Sequence, residues 1–119
     1  MQKEVYEVYE LLEPDGHVFY VGSGNRARKY EHESDVRRYL KKYSIWPKGG
    51  FMDKKNRTIA SILVNNEDII YTVVFATRDR KLAFLVECER INIYGLDNLT
   101  NKASCNNYVL TKRVESLKR

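Results

Sequence analysis

The sequence predicts a small fold of the α/β (α+β) class, in which a β-hairpin is followed by helices and a third strand. Residues 5–12 and 18–21 are rich in β-branched and aromatic side chains, and a Pro-Asp-Gly turn separates them, which predicts the hairpin. Residues 69–76 form a nearly continuous apolar run that favours a buried strand. Helix signals over residues 25–43 and 80–94 supply the flanking helices. A chain of this length, 119 residues, predicts one domain.

The predicted hairpin brings two tyrosines together. Its turn, residues 13–17, contains a proline that presets one torsion and a glycine that accepts a positive φ. In the expected register, Tyr9 and Tyr20 lie near each other on the same face of the sheet. Gly22 and Gly24 are then expected to break the second strand and let the backbone turn sharply.

The first long helix is expected over residues 25–43, with Asn25 as its cap residue. Arg28 and His32 are four residues apart, so they project from the same helical face, one turn from each other. An apolar stripe with helical spacing faces the core and consists of Val36, Leu40 and Tyr43.

The middle of the chain predicts a basic insertion at about residues 41–68. Within it, residues 44–56 contain a proline, two adjacent glycines and several lysines, which favours an exposed, mobile loop. Residues 57–64 are expected to form a short helix.

The second half of the chain predicts one long helix and a turn. Residues 77–79 are a helix start signal, and the helix over residues 80–94 is expected to stop at Gly95. Residues 96–101 are polar and turn-prone, and residues 109–110 are expected to add a short strand or to pack as a tail.

Positive charge is concentrated in two parts of the chain, whose net charge is +5. Residues 24–57 carry eleven Lys or Arg against four acidic residues, whereas residues 1–23 carry one Lys against five acids. Residues 98–119 add five basic groups against one acid. Such blocks favour binding to a polyanion, although surface lysines that only keep a protein soluble produce the same count.

Composition excludes several classes of protein. Hydrophobic residues make up 43% and charged residues 31%, as in ordinary soluble globular proteins. No apolar run reaches the roughly 18 residues that span a bilayer, and the N-terminus leads directly into a strand pattern, so neither a membrane segment nor a signal peptide is expected. The sequence has only two cysteines, Cys88 and Cys105, which is too few for a disulfide framework or a four-cysteine zinc site. We expect free thiols in a reducing cytoplasm.

The order of several polar residues resembles the GIY-YIG nuclease superfamily. The segment Glu7-Val8-Tyr9 stands where that family has Gly-Ile-Tyr, and Tyr20-Val21-Gly22 stands where it has Tyr-Ile-Gly. The resemblance runs from about Val5 to Lys102, with a poorly matched middle. The remaining matches to the family pattern are Arg28 and His32 in the first helix, Glu87 with Ile91 in the late helix, and Asn101.

The spacing Tyr-Val-Gly-x-Gly-x-Arg-x-Arg-x-x-x-His is most similar to the branch that contains LEM-domain junction nucleases. Two positions depart from the family. Glu7 replaces the first glycine, a position that concerns backbone packing. Ser23 stands where many members have a lysine, so that the corresponding phosphate contact is absent or comes from Lys29 or Arg26.

The resemblance implies a small central antiparallel three-stranded sheet flanked by helices, and a nuclease site. Glu87 would hold Mg²⁺ or Mn²⁺, and a single acid at the site favours a one-metal mechanism. Arg28 suits the negative charge that develops on phosphate. The family pattern favours Tyr9 as base, supported by His32, although His32 could instead deprotonate water itself. Tyr20 would position water or phosphate. The supporting positions are Gly22 and Asn101.

The basic residues of the first helix and the middle segment are expected to track nucleic-acid phosphates. Aromatic side chains between them would stack on bases or pack under the loop. The basic residues are Arg26, Lys29, Arg37, Arg38, Lys41, Lys48, Lys54, Lys55 and Arg57. The aromatic residues are Tyr39, Tyr43, Trp46 and Phe51.

Together these features predict an Mg²⁺-dependent DNA endonuclease that acts on duplex or branched DNA, alone or as a homodimer. The small size of an independent domain fits a phage or mobile-element nuclease, a restriction-type enzyme or a structure-specific repair enzyme, and the expected location is a bacterial or phage-infected cytoplasm. Two alternatives stay open: a catalytically inactive nucleic-acid-binding module, and an inhibitor or scaffold protein on the same fold.

Overall fold

The computed structural model of the protein describes residues 4–43 and 53–102. Strands and helices follow the predicted order along these two ranges. The elements are β1 (Tyr6–Leu12), β2 (Val18–Gly24), α1 (Arg28–Tyr43), α2 (Lys54–Val64), β3 (Ile70–Thr77) and α3 (Arg80–Tyr94), followed by a 3₁₀ helix, Leu96–Asn98. The predicted loop 44–52, with Lys48, and the predicted segment 109–110 lie outside the described residues.

The three strands form an antiparallel sheet, as predicted, and their order in the sheet is β2-β1-β3. Tyr9 pairs with Gly22, and Leu11 pairs with Tyr20, so the two tyrosines share one face of the sheet. The pairing of β1 with β3 shifts register between Val8 and Tyr9. Such irregularities are common beside active sites, where they redirect a side chain.

Gly22 lies inside β2, so the prediction that it breaks the strand is wrong, whereas Gly24 is the last residue of the strand and a bend follows it, as predicted. The strand continues to Gly24 because its backbone stays paired with β1 as far as Glu7. Gly22 is required for another reason: a Cβ there would lie 2.6 Å from the hydroxyl oxygen of Tyr9. A Cβ at Gly24 would lie 2.8 Å from Cγ of Arg28.

β3 is less buried than its apolar sequence predicts. Ile70 and Val73 are 41% and 42% exposed, respectively. The physical reason is position, because β3 is an edge strand of the sheet and β1 lies in the centre. An apolar run therefore identified the strand correctly but not its place in the sheet.

Side-chain caps determine where the helices begin. Asn25 accepts hydrogen bonds from the backbone N–H groups of residues 27 and 28, so α1 begins three residues later than predicted. Asp53 caps α2, which begins at Lys54 rather than at residue 57, so Lys54 and Lys55 belong to a helix and not to a loop. Asp79 caps α3, and Gly95, with φ of 85°, ends it as predicted.

Two apolar clusters lie on opposite faces of the sheet. Tyr9 and Leu11 pack with the α1 residue Val36 and with buried residues of α2. Val8 and Val21 pack with residues of α3. This alternation along β1 is the ordinary consequence of strand geometry. Of the predicted α1 stripe, Val36 is fully buried, Leu40 packs against the first cluster, and the side chain of Tyr43 lies outside the described residues.

Cys88 is buried in α3 and disulfide-bonded, so the expectation of free thiols is wrong at this position. Cys105 lies outside the described residues. Within residues 4–43 and 53–102, no helix has both the length and the apolar character to cross a membrane.

Candidate active site

The hairpin places the two motif tyrosines side by side. Their ring centroids are 6.4 Å apart, Tyr9 is 1% exposed, and Tyr20 is half-buried. Gly22 makes this packing possible, since its missing side chain leaves room for the ring of Tyr9. Burial, followed by the neighbouring Tyr20, raises the pKa of Tyr9, whereas the positive charge of Arg28 lowers it. The resting phenol is therefore protonated at neutral pH.

His32 reaches both tyrosines from α1. Its Nε2 lies 2.7 Å from Oη of Tyr9, and its ring is edge-on to Tyr20 with centroids 5.0 Å apart. His32 is 2% exposed. Burial and then the positive charges of Lys55 and Arg28 lower its pKa to about 3. The imidazole is accordingly neutral at pH 7 and carries one ring proton.

Lys55 belongs to this group of side chains, although the sequence suggested a general role in phosphate binding. Its Nζ lies 3.0 Å from Nδ1 of His32 and 5.2 Å from the ring centroid of Tyr20. Burial lowers the pKa of Lys55, and the carboxylate of Asp53 opposes that effect. No motif could have identified this lysine, because its partner is 23 residues away and only the packing of α2 on α1 joins them.

Arg28 lines a cleft of 440 Å³. Its guanidinium Nη1 donates to the Glu31 carboxylate at 2.8 Å, and its side chain is 44% exposed. The charge of Arg28 influences the pKa values of both motif tyrosines. Arg26, the alternative arginine, is exposed. Besides Arg28, the cleft is lined by residues that include Ser23, Gly24, Asn25, Arg80 and Phe84.

Glu87 of α3 joins the site through Ser23. The Ser23 hydroxyl donates to the Glu87 carboxylate at 2.5 Å. Burial raises the pKa of Glu87, and the hydrogen bond from Ser23 opposes that shift. Glu89, which competed for the same role in the sequence, is exposed. Ser23 and Glu87 lie on the α3 side of β2, and the tyrosines lie on the other side. Because β2 is an edge strand, groups from both faces can meet beside it.

The donor set at Glu87 suits a hard cation. Among the described residues, no group of three or more His, Cys, Asp or Glu side chains could hold a metal ion. One carboxylate beside one hydroxyl leaves most coordination positions to water and substrate. Mg²⁺ accepts such a site, because it prefers oxygen ligands and retains several of its waters.

Asn101 and its neighbour tie the end of the described chain to β2. The Asn101 side chain accepts from Val21 N–H at 3.1 Å and donates to Val21 C=O at 2.8 Å. The Thr100 hydroxyl donates to the carbonyl oxygen of Phe19 at 2.8 Å. These bonds satisfy the outer edge of β2, the strand that carries Tyr20. Asn101 therefore anchors the end of the described chain to the strand that carries Tyr20, and Gly22 leaves room for the ring of Tyr9.

Lys29 is not a free cation, contrary to the prediction that it contacts phosphate. It is 7% exposed, and its Nζ binds the Glu7 carboxylate at 2.5 Å and the Arg26 carbonyl oxygen at 2.7 Å. A buried lysine is stable only with such partners. Glu7, at the position of the family's first glycine, thus has a structural partner in α1.

The other described members of the predicted phosphate-binding set lie at the surface. Arg37 pairs with Glu33, and Arg38 pairs more loosely with Asp35, as is usual for exposed helix pairs of small energetic value. Those that are exposed are Arg26, Arg37, Arg38, Lys41, Lys54 and Arg57. Among the predicted aromatic residues, Tyr39 is half-buried, whereas Trp46 and Phe51 lie outside the described residues.

A family model matches most of the chain. The model of the LEM-3-like GIY-YIG domain matches residues 15–119, a range that contains Tyr20, Arg28, His32 and Glu87. Tyr9 precedes the matched range, so its place in the site rests on the hairpin geometry. No curated protein and no solved structure matches the chain significantly. Since the match covers most of the chain, this protein belongs to the LEM-3-like GIY-YIG family of the GIY-YIG nuclease superfamily.

Proposed function

We propose that the protein is an Mg²⁺-dependent DNA endonuclease that hydrolyses phosphodiester bonds with one metal ion. One observation carries this proposal: side chains from four elements converge beside β2 in the chemistry that phosphodiester hydrolysis requires. Membership in a nuclease family supports action on nucleic acid and dependence on a divalent metal. The converging side chains are Tyr9 of β1, Tyr20 of β2, Arg28 and His32 of α1, and Glu87 of α3.

Glu87 would hold the metal ion, with Ser23 fixing the orientation of its carboxylate. When bound, Mg²⁺ (or Mn²⁺) would neutralise charge on the phosphate and its leaving oxygen. The hydrogen bond between the two residues leaves the second carboxylate oxygen of Glu87 to face an ion, since only Oε1 accepts from Ser23.

Arg28 would bind the phosphate oxygens. In the free protein the Arg28 guanidinium binds the carboxylate of Glu31. A carboxylate offers a pair of acceptor oxygens, as a phosphate group does, so the same guanidinium could bind either group. The pair is half-exposed, so it exchanges partners at small cost. Phosphate would replace Glu31, and Arg28 would then stabilise the charge that develops in the transition state.

Tyr9 is the base in this proposal. As a phenolate, formed once its own proton has passed to solvent, its Oη would take a proton from the attacking water while the water oxygen forms a bond to phosphorus and the bond to the leaving oxygen breaks. Arg28 supports the ionised form through its charge. Tyr20, which packs edge-on to His32, would position water or phosphate at the same place.

The exposed basic side chains of α1 and α2 would bind the DNA backbone on either side of the cleaved bond. These contacts carry no sequence information, so a duplex or a branched substrate is recognised by shape. A homodimer would present two sites to one substrate, and it is a further part of this proposal.

Incubation of supercoiled plasmid with the protein tests the activity. We expect nicked or linear product with Mg²⁺, none with EDTA, and none with the Glu87→Gln variant. Parallel reactions with linear duplex, single strand and a four-way junction identify the preferred shape. Binding of DNA without cleavage in any metal would refute the proposal and show a nucleic-acid-binding module instead.

A further inference from the structure

Both ring nitrogens of His32 are hydrogen-bonded. Nε2 lies 2.7 Å from Oη of Tyr9, and Nδ1 lies 3.0 Å from Nζ of Lys55. The imidazole therefore bridges α2 and β1, and it connects a lysine to the proposed base. A neutral imidazole carries one proton, so it can donate to only one of these two neighbours.

We propose that Lys55 is a positioning residue that holds His32 in the tautomer with its proton on Nε2, so that His32 donates a hydrogen bond to Tyr9. An ammonium group has three donors and no acceptor, so a charged Lys55 can only donate to Nδ1. Nδ1 must then be unprotonated. The single proton of the neutral ring is left on Nε2, where its partner is the phenol oxygen of Tyr9.

This arrangement defines the role of Tyr9. Because Oη accepts from His32, the hydrogen of the phenol points away from the imidazole. A phenolate is a stronger acceptor than a phenol, so the bond from Nε2–H favours ionised Tyr9. His32 has no free lone pair to take a proton from water, since Lys55 occupies Nδ1 and the proton occupies Nε2. Tyr9, and not His32, is therefore the base.

The packing around Lys55 supports a fixed position for its amine. The residue lies in the first turn of α2, directly after the cap Asp53, and it is half-buried. Its Nζ also lies 5.2 Å from the ring centroid of Tyr20, a favourable distance for a cation and an aromatic face. The charges that act on His32 are those of Lys55, Arg28 and Asp53, and burial keeps the ring neutral by lowering its pKa to about 3.

The opposite arrangement is chemically possible and is the alternative outcome of the test. A neutral Lys55 amine could accept from Nδ1–H, and Nε2 would then accept the hydroxyl proton of Tyr9. In that case His32 would draw the proton from Tyr9, and Lys55 would have the role of a final acceptor. The two arrangements differ in which imidazole nitrogen carries hydrogen and in whether Lys55 is charged.

The tautomer can be read from the free protein by NMR, without DNA or metal. Protein labelled with ¹⁵N in histidine contains only two imidazoles, His17 and His32, and the His17→Gln variant assigns them. Long-range ¹H–¹⁵N correlations at pH 7 should show His32 protonated at Nε2. A proton on Nδ1 in the wild-type protein would overturn the proposal, and this result requires no variant at position 55.

Substitution of Lys55 tests the cause. In Lys55→Met, which keeps the length of the side chain and removes the donor, we expect a mixture of tautomers or the Nδ1-protonated form. Lys55→Arg, whose guanidinium can only donate, should retain the wild-type pattern. Lys54→Met, at the neighbouring exposed position, is the matched control for the spectrum. A wild-type His32 pattern in Lys55→Met would overturn the assignment.

The effect on catalysis rests on the proposed nuclease function, whereas the tautomer does not. If the protein cleaves plasmid, Lys55→Met should lower kcat by about tenfold or more with little change in KM, since Lys55 acts through the base. Lys55→Arg should restore part of the loss. An unchanged kcat would overturn the positioning role. If the wild-type protein cleaves nothing, the nuclease proposal fails and the NMR result still decides the tautomer.

Discussion

Replacement of Gly22 by alanine should damage the site more than any other change of one methyl group in β2. The new Cβ would lie 2.6 Å from Oη and 2.7 Å from Cζ of Tyr9, and 2.9 Å from Cε2 of Tyr20. Contacts this short are not tolerated, so the ring of Tyr9 must move. Tyr9 is 1% exposed and has core residues around it, so the ring has no open space to enter.

The size of the effect follows from these distances. An ordinary contact needs at least 3.4 Å, so the phenol oxygen must shift by about 0.8 Å. Overpacking of this kind costs about 1–3 kcal/mol of unfolding free energy. A shift of that size also breaks the 2.7 Å bond between Tyr9 and His32. Because a misplacement of about 1 Å at a reacting group lowers rates by about 10²-fold, we expect a similar loss of cleavage.

Urea unfolding and initial rates of plasmid nicking would measure the two effects separately. Gly24→Ala is the comparison variant for stability, since its Cβ would lie 2.8 Å from Cγ and 2.9 Å from Cβ of Arg28, at the exposed start of α1 and not beside a buried ring. We expect Gly24→Ala to lose less unfolding free energy than Gly22→Ala. A Gly22→Ala variant with wild-type stability and wild-type rate would show that Tyr9 is not held where the hairpin places it, and the reasoning would fail.

Three further predictions concern the charged groups of the site. Glu87→Gln should abolish nicking in Mg²⁺ and leave DNA affinity largely intact. The variant Glu89→Gln, at an exposed position, should cleave normally. Full activity of Glu87→Gln would exclude Glu87 as the metal ligand. Arg28→Ala should lower kcat by about 10²-fold or more, whereas Arg26→Ala should mainly weaken binding and its dependence on salt; the reverse pattern would make Arg26 the catalytic arginine. Acid should destabilise the fold through His32, whose pKa is about 3 in the folded state against 6.5 ordinarily, so the unfolded chain binds the proton first. The contribution of this pKa difference to the free energy of unfolding is complete above pH 6.5 and is lost as the pH falls toward 3. At pH 5 the loss amounts to roughly 2 kcal/mol. Urea unfolding at pH 7 and pH 5 should show this loss in the wild-type protein, and an equal loss in His32→Gln would contradict it.

The catalytic candidates could be predicted because their signals are local. The pairing of Tyr9 and Tyr20 follows from a hairpin turn and a period of two, and the common face of Arg28 and His32 follows from a helical spacing of four. Glu87 was identifiable through a family pattern. Each of these signals lies within one element or one motif, so no knowledge of packing is needed to read it.

Sites that depend on partners far away in the sequence could not be predicted. Lys29 and Lys55 look alike in the sequence, as two lysines in basic segments. In the structure, Lys29 is buried against Glu7, whereas Lys55 contacts His32. The difference arises because α1 packs on the sheet and α2 packs on α1, and both arrangements involve contacts between residues more than 20 positions apart.

The sequence alone thus determined the fold class, the order of strands and helices, and the residue types available for chemistry, because hydrophobic period, turn residues and caps act locally. The tertiary structure decided which basic side chains lie at the surface, that Lys29 is buried against Glu7 and that Lys55 contacts His32. It also decided that β3 lies at an edge and that Ser23 holds Glu87 beside β2. Those outcomes depend on which elements pack together, and burial and hydrogen bonding between distant residues decide them.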